Sequence, residues 1–112
     1  MDIKSIVDEF AVCPQVECAD MVQIADAGFR TLICHRPDGE EDAQPDAELI
    51  AEAAAAAGLH FYAIPFAGGP SADAVQRYRE IYRDAPRPIL GYCRSGQRAE
   101  TIWNEADVAS SD

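Results

Sequence analysis

Short apolar runs alternate with amphipathic segments along this chain of 112 residues. Four of the runs predict strands, at residues 10–13, 29–34, 59–64 and 88–92. The intervening segments show apolar positions at helical spacing and predict helices over 18–27, 45–57, 71–84 and from the last strand to about residue 107. This alternation predicts an α/β fold whose mostly parallel, four-stranded sheet carries helices on both faces. The tail 108–112 is expected to fray.

The residues that follow the last predicted strand are the most informative part of the chain. Ile89 to Tyr92 leads into Cys93, then a turn of small and polar residues, then the start of a helix. Because the sulfur would lie over the free N–H groups at the helix start, the macrodipole favours a thiolate over a thiol. The same N–H groups form a concave seat for an anion. The segment therefore predicts a cysteine nucleophile beside an anion-binding loop, which is the chemistry of cysteine-dependent group transfer.

Side chains of the loop add to this chemistry. Arg98 and Arg94 supply positive charge that can fork onto an oxyanion, and Gly96 permits a backbone conformation that a Cβ would forbid. A lone cysteine is more often a buried core residue, but a core residue does not need two arginines and a glycine within five positions. We therefore expect Cys93 and Arg98 to be catalytic. The remaining loop residues are expected to bind the substrate anion: Arg94, Ser95, Gly96 and Gln97.

The loops that follow the other strands reach the same edge of the sheet. In a parallel sheet, binding sites form beyond the carboxyl ends of the strands, so the segments after the second and third strands should flank the Cys93 loop. Arg36 is then either a second anion contact or a solvated arginine paired with Asp38 or Glu40. Cys34, which also ends a strand, is either a resolving thiol that protects Cys93 from over-oxidation or a buried core thiol.

Composition narrows the class of protein. The length suits one domain with its own core, and we expect residues 1–112 to form a single domain. The net charge is −11, with 13 acidic and 3 basic side chains in residues 1–52 but 7 and 6 in residues 53–112. The arginine loop therefore lies in the half that repels an anion less. So acidic a chain is a poor partner for nucleic acid.

The amino-acid composition also leads to expectations about localisation and cofactors. No apolar run is long enough to span a bilayer, and Met1–Ser5 do not begin a signal peptide, so we expect no membrane partner. The four cysteines form no Cys-x-x-Cys pair, which fits a reducing cytoplasm better than a disulfide framework. Neither histidine stands at metal-ligand spacing from a cysteine, so we expect no metal and no cofactor.

Three stretches together resemble a known family. They are Ala27–Ile33, Arg36–Glu41 and Tyr92–Arg98, and they resemble the phosphatase-like domain of the beta-lactamase-hydrolase-like family, which is also described as a family of sulfur transferases. The resemblance covers roughly residues 8–106. It implies a compact version of the tyrosine and dual-specificity phosphatase fold. The Cys93 loop by itself is equally similar to that of a single-domain rhodanese.

The chain departs from the phosphatase pattern at the loop itself. Phosphatases of this fold carry His-Cys-x5-Arg-Ser/Thr, whereas here Tyr92 precedes the cysteine, four residues separate Cys93 from Arg98, and Ala99 replaces the hydroxyl residue. The segment 65–70, where a phosphatase would carry an aspartate to protonate its leaving group, contains no acid. A tighter loop suits one sulfane sulfur on the cysteine better than a phosphoryl group with three equatorial oxygens.

Three functions remain open, in the following order. The first is sulfane-sulfur transfer through a Cys93 persulfide, from a small anionic donor such as thiosulfate to a thiol acceptor. The second is hydrolysis of a phosphoester through a phosphocysteine, with Asp38, Glu40 or Asp73 serving as the acid. The third is an inactive module that binds an anion or a partner and has kept the loop.

Overall fold

The computed structural model describes residues 1–108. The tail predicted to fray begins at Val108, which is instead buried in the core. The rest of that predicted tail, residues 109–112, lies outside the described part of the chain.

Within residues 1–108, five strands form one sheet: β1 (Lys4–Val7), β2 (Phe10–Cys13), β3 (Thr31–Cys34), β4 (His60–Ala63) and β5 (Ile89–Tyr92). The spatial order is β1-β2-β5-β3-β4, which puts β5 at the centre. β1 pairs with β2 in antiparallel fashion, and every other neighbouring pair is parallel. The predicted α/β fold with a mostly parallel sheet is confirmed, but the sheet has five strands and not four.

The strand that the sequence does not reveal is β1. Its residues are exposed except for Ile6, which is partly buried, so the segment has none of the apolar continuity that marks the other strands. β1 is held at the sheet edge by backbone pairing with β2, and its register shifts between Ser5 and Val7. An irregular, exposed edge strand of this kind is defined by its pairing with the neighbouring strand. The sequence pattern alone therefore does not predict it.

In the described part of the chain, four α-helices connect or follow the strands: α1 (Met21–Asp26), α2 (Ala47–Ala56), α3 (Ala72–Asp84) and α4 (Gln97–Ala106). The predicted helix over 18–27 is shorter than expected, because Cys18–Asp20 forms a 3-10 turn ahead of α1. Ser71 caps α3 as its position suggests, since its hydroxyl oxygen accepts a hydrogen bond from the Ala74 N–H.

Two hydrophobic clusters lie on opposite faces of the sheet, as expected for helices on both sides. Successive strand residues alternate between the faces, so Ile33 belongs to one cluster and Leu32 to the other. On the first face α4 packs onto the sheet through Trp103, whose ring stacks on Phe10 with centroids 5.3 Å apart. α2 covers the second face through Ile50. β5 is thereby buried along its whole length between β2 and β3.

Candidate active site

Cys93 directly follows the central strand. β5 ends at Tyr92, which lies between Cys13 at the end of β2 and Cys34 at the end of β3. α4 begins at Gln97, so a four-residue loop joins strand and helix. This loop lies at the carboxyl edge of the parallel strands, where the sequence predicts it.

The backbone of the loop turns at Gly96. Its φ is 99°, in the left-handed region that favours glycine. A close approach also occurs between strand and helix, because a Cβ on Gly91 would lie 3.1 Å from the Cβ of Ala99. Ala99, which stands where phosphatases carry a hydroxyl residue, is fully buried against β5. A small side chain at position 99 therefore allows the close packing of helix and strand.

The Cys93 side chain is only 1% exposed, yet it belongs to neither hydrophobic cluster. The Gly96 N–H donates a hydrogen bond to its Sγ at 3.0 Å, and the Arg98 guanidinium is a further neighbour of the sulfur. An N–H donor and a positive charge both stabilise negative charge on sulfur. The buried thiol thus lies against the loop backbone and Arg98, outside both hydrophobic clusters.

Arg98 is engaged by a carboxylate from a distant loop. Its Nη1 and Nη2 donate to Oε2 and Oε1 of Glu40 at 2.9 and 2.8 Å, and Nη1 also donates to the Phe66 carbonyl oxygen at 3.0 Å. The hydrogen bonds from Arg98, and next those from Arg36, lower the pKa of Glu40 to about 2. The same bond to Glu40 raises the pKa of Arg98. Glu40 is therefore a carboxylate at neutral pH and does not suit the role of general acid.

Arg36 is 2% exposed and belongs to the same network. It donates to Glu40 Oε1 from Nε at 2.9 Å, to Gln15 Oε1 from Nη1 at 3.0 Å and to Glu41 Oε1 from Nη2 at 2.6 Å. Of the two alternatives for Arg36, the structure shows the ion pair with Glu40, although the arginine is buried and not solvated. Its link to the Cys93 loop runs through that carboxylate.

Arg94 is the most accessible of the three arginines. Its side chain is 69% exposed, and its Nε lies 3.5 Å from Glu41 Oε1. A pair this exposed is weakly held in water. Arg94 is therefore free to meet an anion arriving from solvent.

The two aspartates considered as general acids have other positions. Asp38 Oδ1 accepts a hydrogen bond from the Ala47 N–H at 2.8 Å, at the start of α2. Asp73 lies in the first turn of α3. Within residues 1–108, neither makes a hydrogen bond or ion pair with the Cys93 loop. Their role as acid remains a prediction without a contact to support it.

A cleft of about 350 Å³ opens beside the loop. Its lining is polar and consists of Gly68, Arg94, Ser95, Gln97, Arg98 and Thr101. The cleft thus brings together four of the predicted anion-binding and catalytic residues. Its guanidinium, amide and hydroxyl groups suit a small polar anion.

Cys34 is buried, and its thiol donates to the Arg36 carbonyl oxygen at 3.4 Å. It belongs to the cluster on the face of Tyr92, whereas Cys93, one residue further along, belongs to neither cluster. Burial is the main cause that raises the pKa of Cys34, and it raises the pKa of Cys13 to about 12. Both thiols are thus protonated at neutral pH and are weak nucleophiles. The resolving role of Cys34 stays a prediction.

Several neighbours of the site are absent from the sequence-based prediction. Gln15, in the loop after β2, accepts a hydrogen bond from Arg36, and the Phe66 carbonyl, after β4, accepts one from Arg98. No local sequence pattern predicts either contact. His35 is fully buried with its Nδ1 3.1 Å from the Ile64 carbonyl oxygen, and burial lowers its pKa to about 4. It is therefore neutral at physiological pH. Of these contacts, the sequence analysis predicts the Arg36–Glu40 pair, as one of the alternatives for Arg36.

Among residues 1–108, no three His, Cys, Asp or Glu side chains are grouped so that they could hold a metal ion. In that part of the chain, no helix combines the length and the apolar character needed to cross a membrane.

Comparison with known proteins decides the family. Residues 2–110 match the family described as "Beta-lactamase hydrolase-like protein, phosphatase-like domain". The chain belongs to this family. The resemblance predicted from the three stretches of sequence is thereby confirmed. A beta-lactamase hydrolase-like protein of Agrobacterium fabrum is 31% identical over 104 residues, which are 92% of this chain but 24% of that protein. The chain thus spans about a quarter of the length of this curated relative.

Solved structures confirm the fold. A candidate phosphatase from Neisseria meningitidis is 33% identical, with a TM-score of 0.87 over 100% of this chain and 80% of that one. Tk-PTP, in a mutant form, is 16% identical, with a TM-score of 0.74 over 97% of this chain and 72% of that one. The second likeness concerns the fold alone. This chain therefore has the compact tyrosine and dual-specificity phosphatase fold.

Proposed function

We propose that this domain is a cysteine-dependent group-transfer enzyme that carries a sulfane sulfur on Cys93. The observation that carries the proposal is the pairing of Glu40 with both Arg98 and Arg36, which keeps its carboxylate ionised and lowers its pKa to about 2. Glu40, which is bound to Arg98, thus carries no proton that it could donate at neutral pH. Chemistry at Cys93 therefore favours a leaving group that departs as a stable anion.

Thiosulfate meets this requirement. The Cys93 thiolate attacks the outer sulfur, a new S–S bond forms, and the bond to the sulfonate sulfur breaks with its electron pair leaving on sulfite. The charge of −3 on the two reactants is conserved in the persulfide anion and the sulfite dianion, and no proton is needed. A thiolate acceptor then attacks the outer sulfur of the persulfide and restores the Cys93 thiolate.

The loop supports this reaction in distinct ways. The Gly96 N–H, 3.0 Å from Sγ, stabilises the thiolate as nucleophile and again as leaving group in the second step. Arg98 lies beside the sulfur, and with the Ser95 and Gln97 groups that line the cleft it would hold the sulfonate oxygens. Arg94, exposed at the rim, would attract the donor anion. Arg36 contributes indirectly, by fixing Glu40.

Phosphoester hydrolysis is the second candidate, and the family supports it. The domain is phosphatase-like by family, and the 33% identical Neisseria protein is a candidate phosphatase. A phosphoryl group on Cys93 would be compatible with the same loop if the leaving group needed no proton, as in an aryl phosphate. Asp38 and Asp73 would have to move to assist any poorer leaving group.

Paired assays distinguish these functions. Sulfite release from thiosulfate with a small thiol as acceptor should be measured beside phosphate release from an aryl phosphate. Cys93→Ser should abolish sulfite release, whereas Cys18→Ser, which replaces an exposed cysteine, should retain it. Phosphate release that is lost only in Cys93→Ser, without sulfite release, would establish the phosphatase instead. If the wild-type domain shows neither activity, an inactive anion-binding module is the remaining interpretation.

A further inference from the structure

The guanidinium of Arg98 already holds an oxyanion that the protein itself provides. Both oxygens of Glu40 accept from it, at 2.8 and 2.9 Å, in the two-pronged arrangement that a sulfonate or phosphoryl group would adopt. Glu40 belongs to the loop between β3 and α2, 58 residues away in sequence. The contact is therefore a tertiary one, made across the mouth of the Cys93 loop.

We propose that Glu40 is a specificity-determining residue, an internal counter-anion that occupies the Nη1/Nη2 edge of Arg98 and competes with any anion that binds through that edge beside Cys93. This inference rests on the proposed function only in taking Arg98 as the anion-binding side chain. It extends that function by defining which anions the site accepts.

The charges around the loop explain the selectivity. Three guanidinium groups, of Arg36, Arg94 and Arg98, share the two carboxylates of Glu40 and Glu41. One positive charge is left over, and a Cys93 thiolate would cancel it. A weakly coordinating monoanion thus gains little on arrival. An anion with two or more oxygens for the Arg98 fork can replace the carboxylate bond for bond.

Arg36 makes the displacement reversible. It is almost wholly buried and donates to Glu40 Oε1 at 2.9 Å, independently of the bonds from Arg98. When Arg98 turns to a substrate anion, Glu40 keeps this second partner and is not left as an unpaired charge. The carboxylate then returns to Arg98 once the product leaves.

The opposing interpretation is that Glu40 only positions Arg98. In that case removal of its charge would disorder the guanidinium and weaken anion binding. Displacement and positioning therefore predict changes of opposite sign in anion affinity, and the neighbouring Glu41 provides the matched control. Glu41 contacts Arg36 and Arg94 but not Arg98.

The test measures the affinity of inorganic phosphate for the wild-type domain, Glu40→Gln and Glu41→Gln, by its protection of Cys93 against alkylation. We expect Glu40→Gln to bind phosphate about tenfold more tightly than wild type, the scale of one charge-assisted contact set free, and Glu41→Gln to gain much less. Equal gains in both variants would reflect general electrostatics and would overturn the proposal, as would weaker or unchanged binding in Glu40→Gln.

A measurement on the wild-type protein avoids dependence on the folding of a variant. In carboxylate-detected NMR, added phosphate should shift the Glu40 resonance more than that of Glu41. Phosphate that shifts the amides of residues 94–98 but leaves Glu40 unmoved would contradict displacement. Because neither measurement involves transfer of a sulfane sulfur, a failure here leaves sulfur uptake by Cys93 untouched, and a failure of sulfur uptake leaves this result standing.

Discussion

Around the Cys93 thiol, the protonation of single side chains decides which reactions are open. Glu40 is held as a carboxylate by two arginines, and Asp38 is engaged at the start of α2. A reaction at Cys93 therefore depends on the stability of its leaving group more than on a proton donor. Sulfite satisfies this condition, and an unactivated alkoxide does not.

The low pKa of Glu40 has a consequence for stability. A carboxyl whose pKa is depressed in the folded state contributes stability that is present above its ordinary value of 4.5 and is lost as the pH falls towards about 2. We expect Glu40→Gln to melt at a lower temperature than wild type at pH 7, with the gap closing between about pH 4.5 and pH 2.

Glu52→Gln, which replaces an exposed carboxylate on α2, is the control for this pH series. Thermal melts of the three proteins at each pH give the comparison. The assigned pKa would be contradicted if the difference in melting temperature between Glu40→Gln and wild type stayed unchanged down to pH 2. It would also be contradicted if Glu52→Gln showed the same pH-dependent difference.

How much of the site the sequence reveals depends on how local each interaction is. The Cys93–Gly96 hydrogen bond and the position of Arg98 lie within six residues, and the spacing of the motif predicts them. The Glu40–Arg98 pair joins residues 58 positions apart, so it depends on how the sheet orders its strands. The sequence suggests Glu40 as an acid or as a partner of Arg36, whereas its bond to Arg98 requires the fold.

The strand, loop and helix around Cys93 work as one structural unit. β5 is the central strand, α4 packs closely on it through Ala99, and Gly96 joins the two with a positive φ. The Gly96 N–H reaches Sγ only because the backbone turns at that residue. The geometry of the thiol is therefore set by the backbone more than by neighbouring side chains.

Substitution of Gly96 by alanine tests this dependence. There is room for the new Cβ, 3.4 Å from the Cys13 carbonyl oxygen, but the positive φ should cost about 1–2 kcal/mol of unfolding free energy. Relaxation of the loop would also withdraw the N–H from Sγ. We expect sulfur uptake by Cys93 to slow by about tenfold or more in Gly96→Ala.

Gly28→Ala is the matched control, since Gly28 has a φ of 103° and a Cβ added there would meet nothing within 4 Å beyond its chain neighbours. Urea unfolding should show a similar loss of stability in both variants, while sulfur uptake stays normal in Gly28→Ala. Equal rates of uptake in the two variants would show that the Gly96 N–H does not assist the thiol.

The secondary structure also divides into elements that a local sequence pattern predicts and one that depends on pairing with another strand. β2, β5 and α3 follow from apolar runs, helical spacing and the Ser71 cap. β1 does not, because an exposed edge strand is defined by its pairing with β2 and not by burial. The sequence therefore predicts the buried elements well and underestimates the sheet by one strand.

For the molecule as a whole, the net charge of −11 contrasts with the arginines at the polar cleft beside Cys93. The overall charge disfavours anions in general, and the cluster of Arg36, Arg94 and Arg98 offsets this at one place on the surface. The carboxylates of Glu40 and Glu41, which pair with these arginines, reduce that attraction. The proposed role of Glu40 would therefore restrict which anions reach the cysteine at the carboxyl end of the central strand.

Intact-protein and peptide mass spectrometry after a single exposure to thiosulfate, without any thiol acceptor, probes sulfur uptake without the second half of the reaction. We predict the added mass of one sulfur atom on the peptide that contains Cys93, in the wild-type domain and in Cys18→Ser, and its absence in Cys93→Ser. If Cys93 stays unmodified by thiosulfate but acquires a phosphoryl group from an aryl phosphate, the proposed sulfur transfer is wrong.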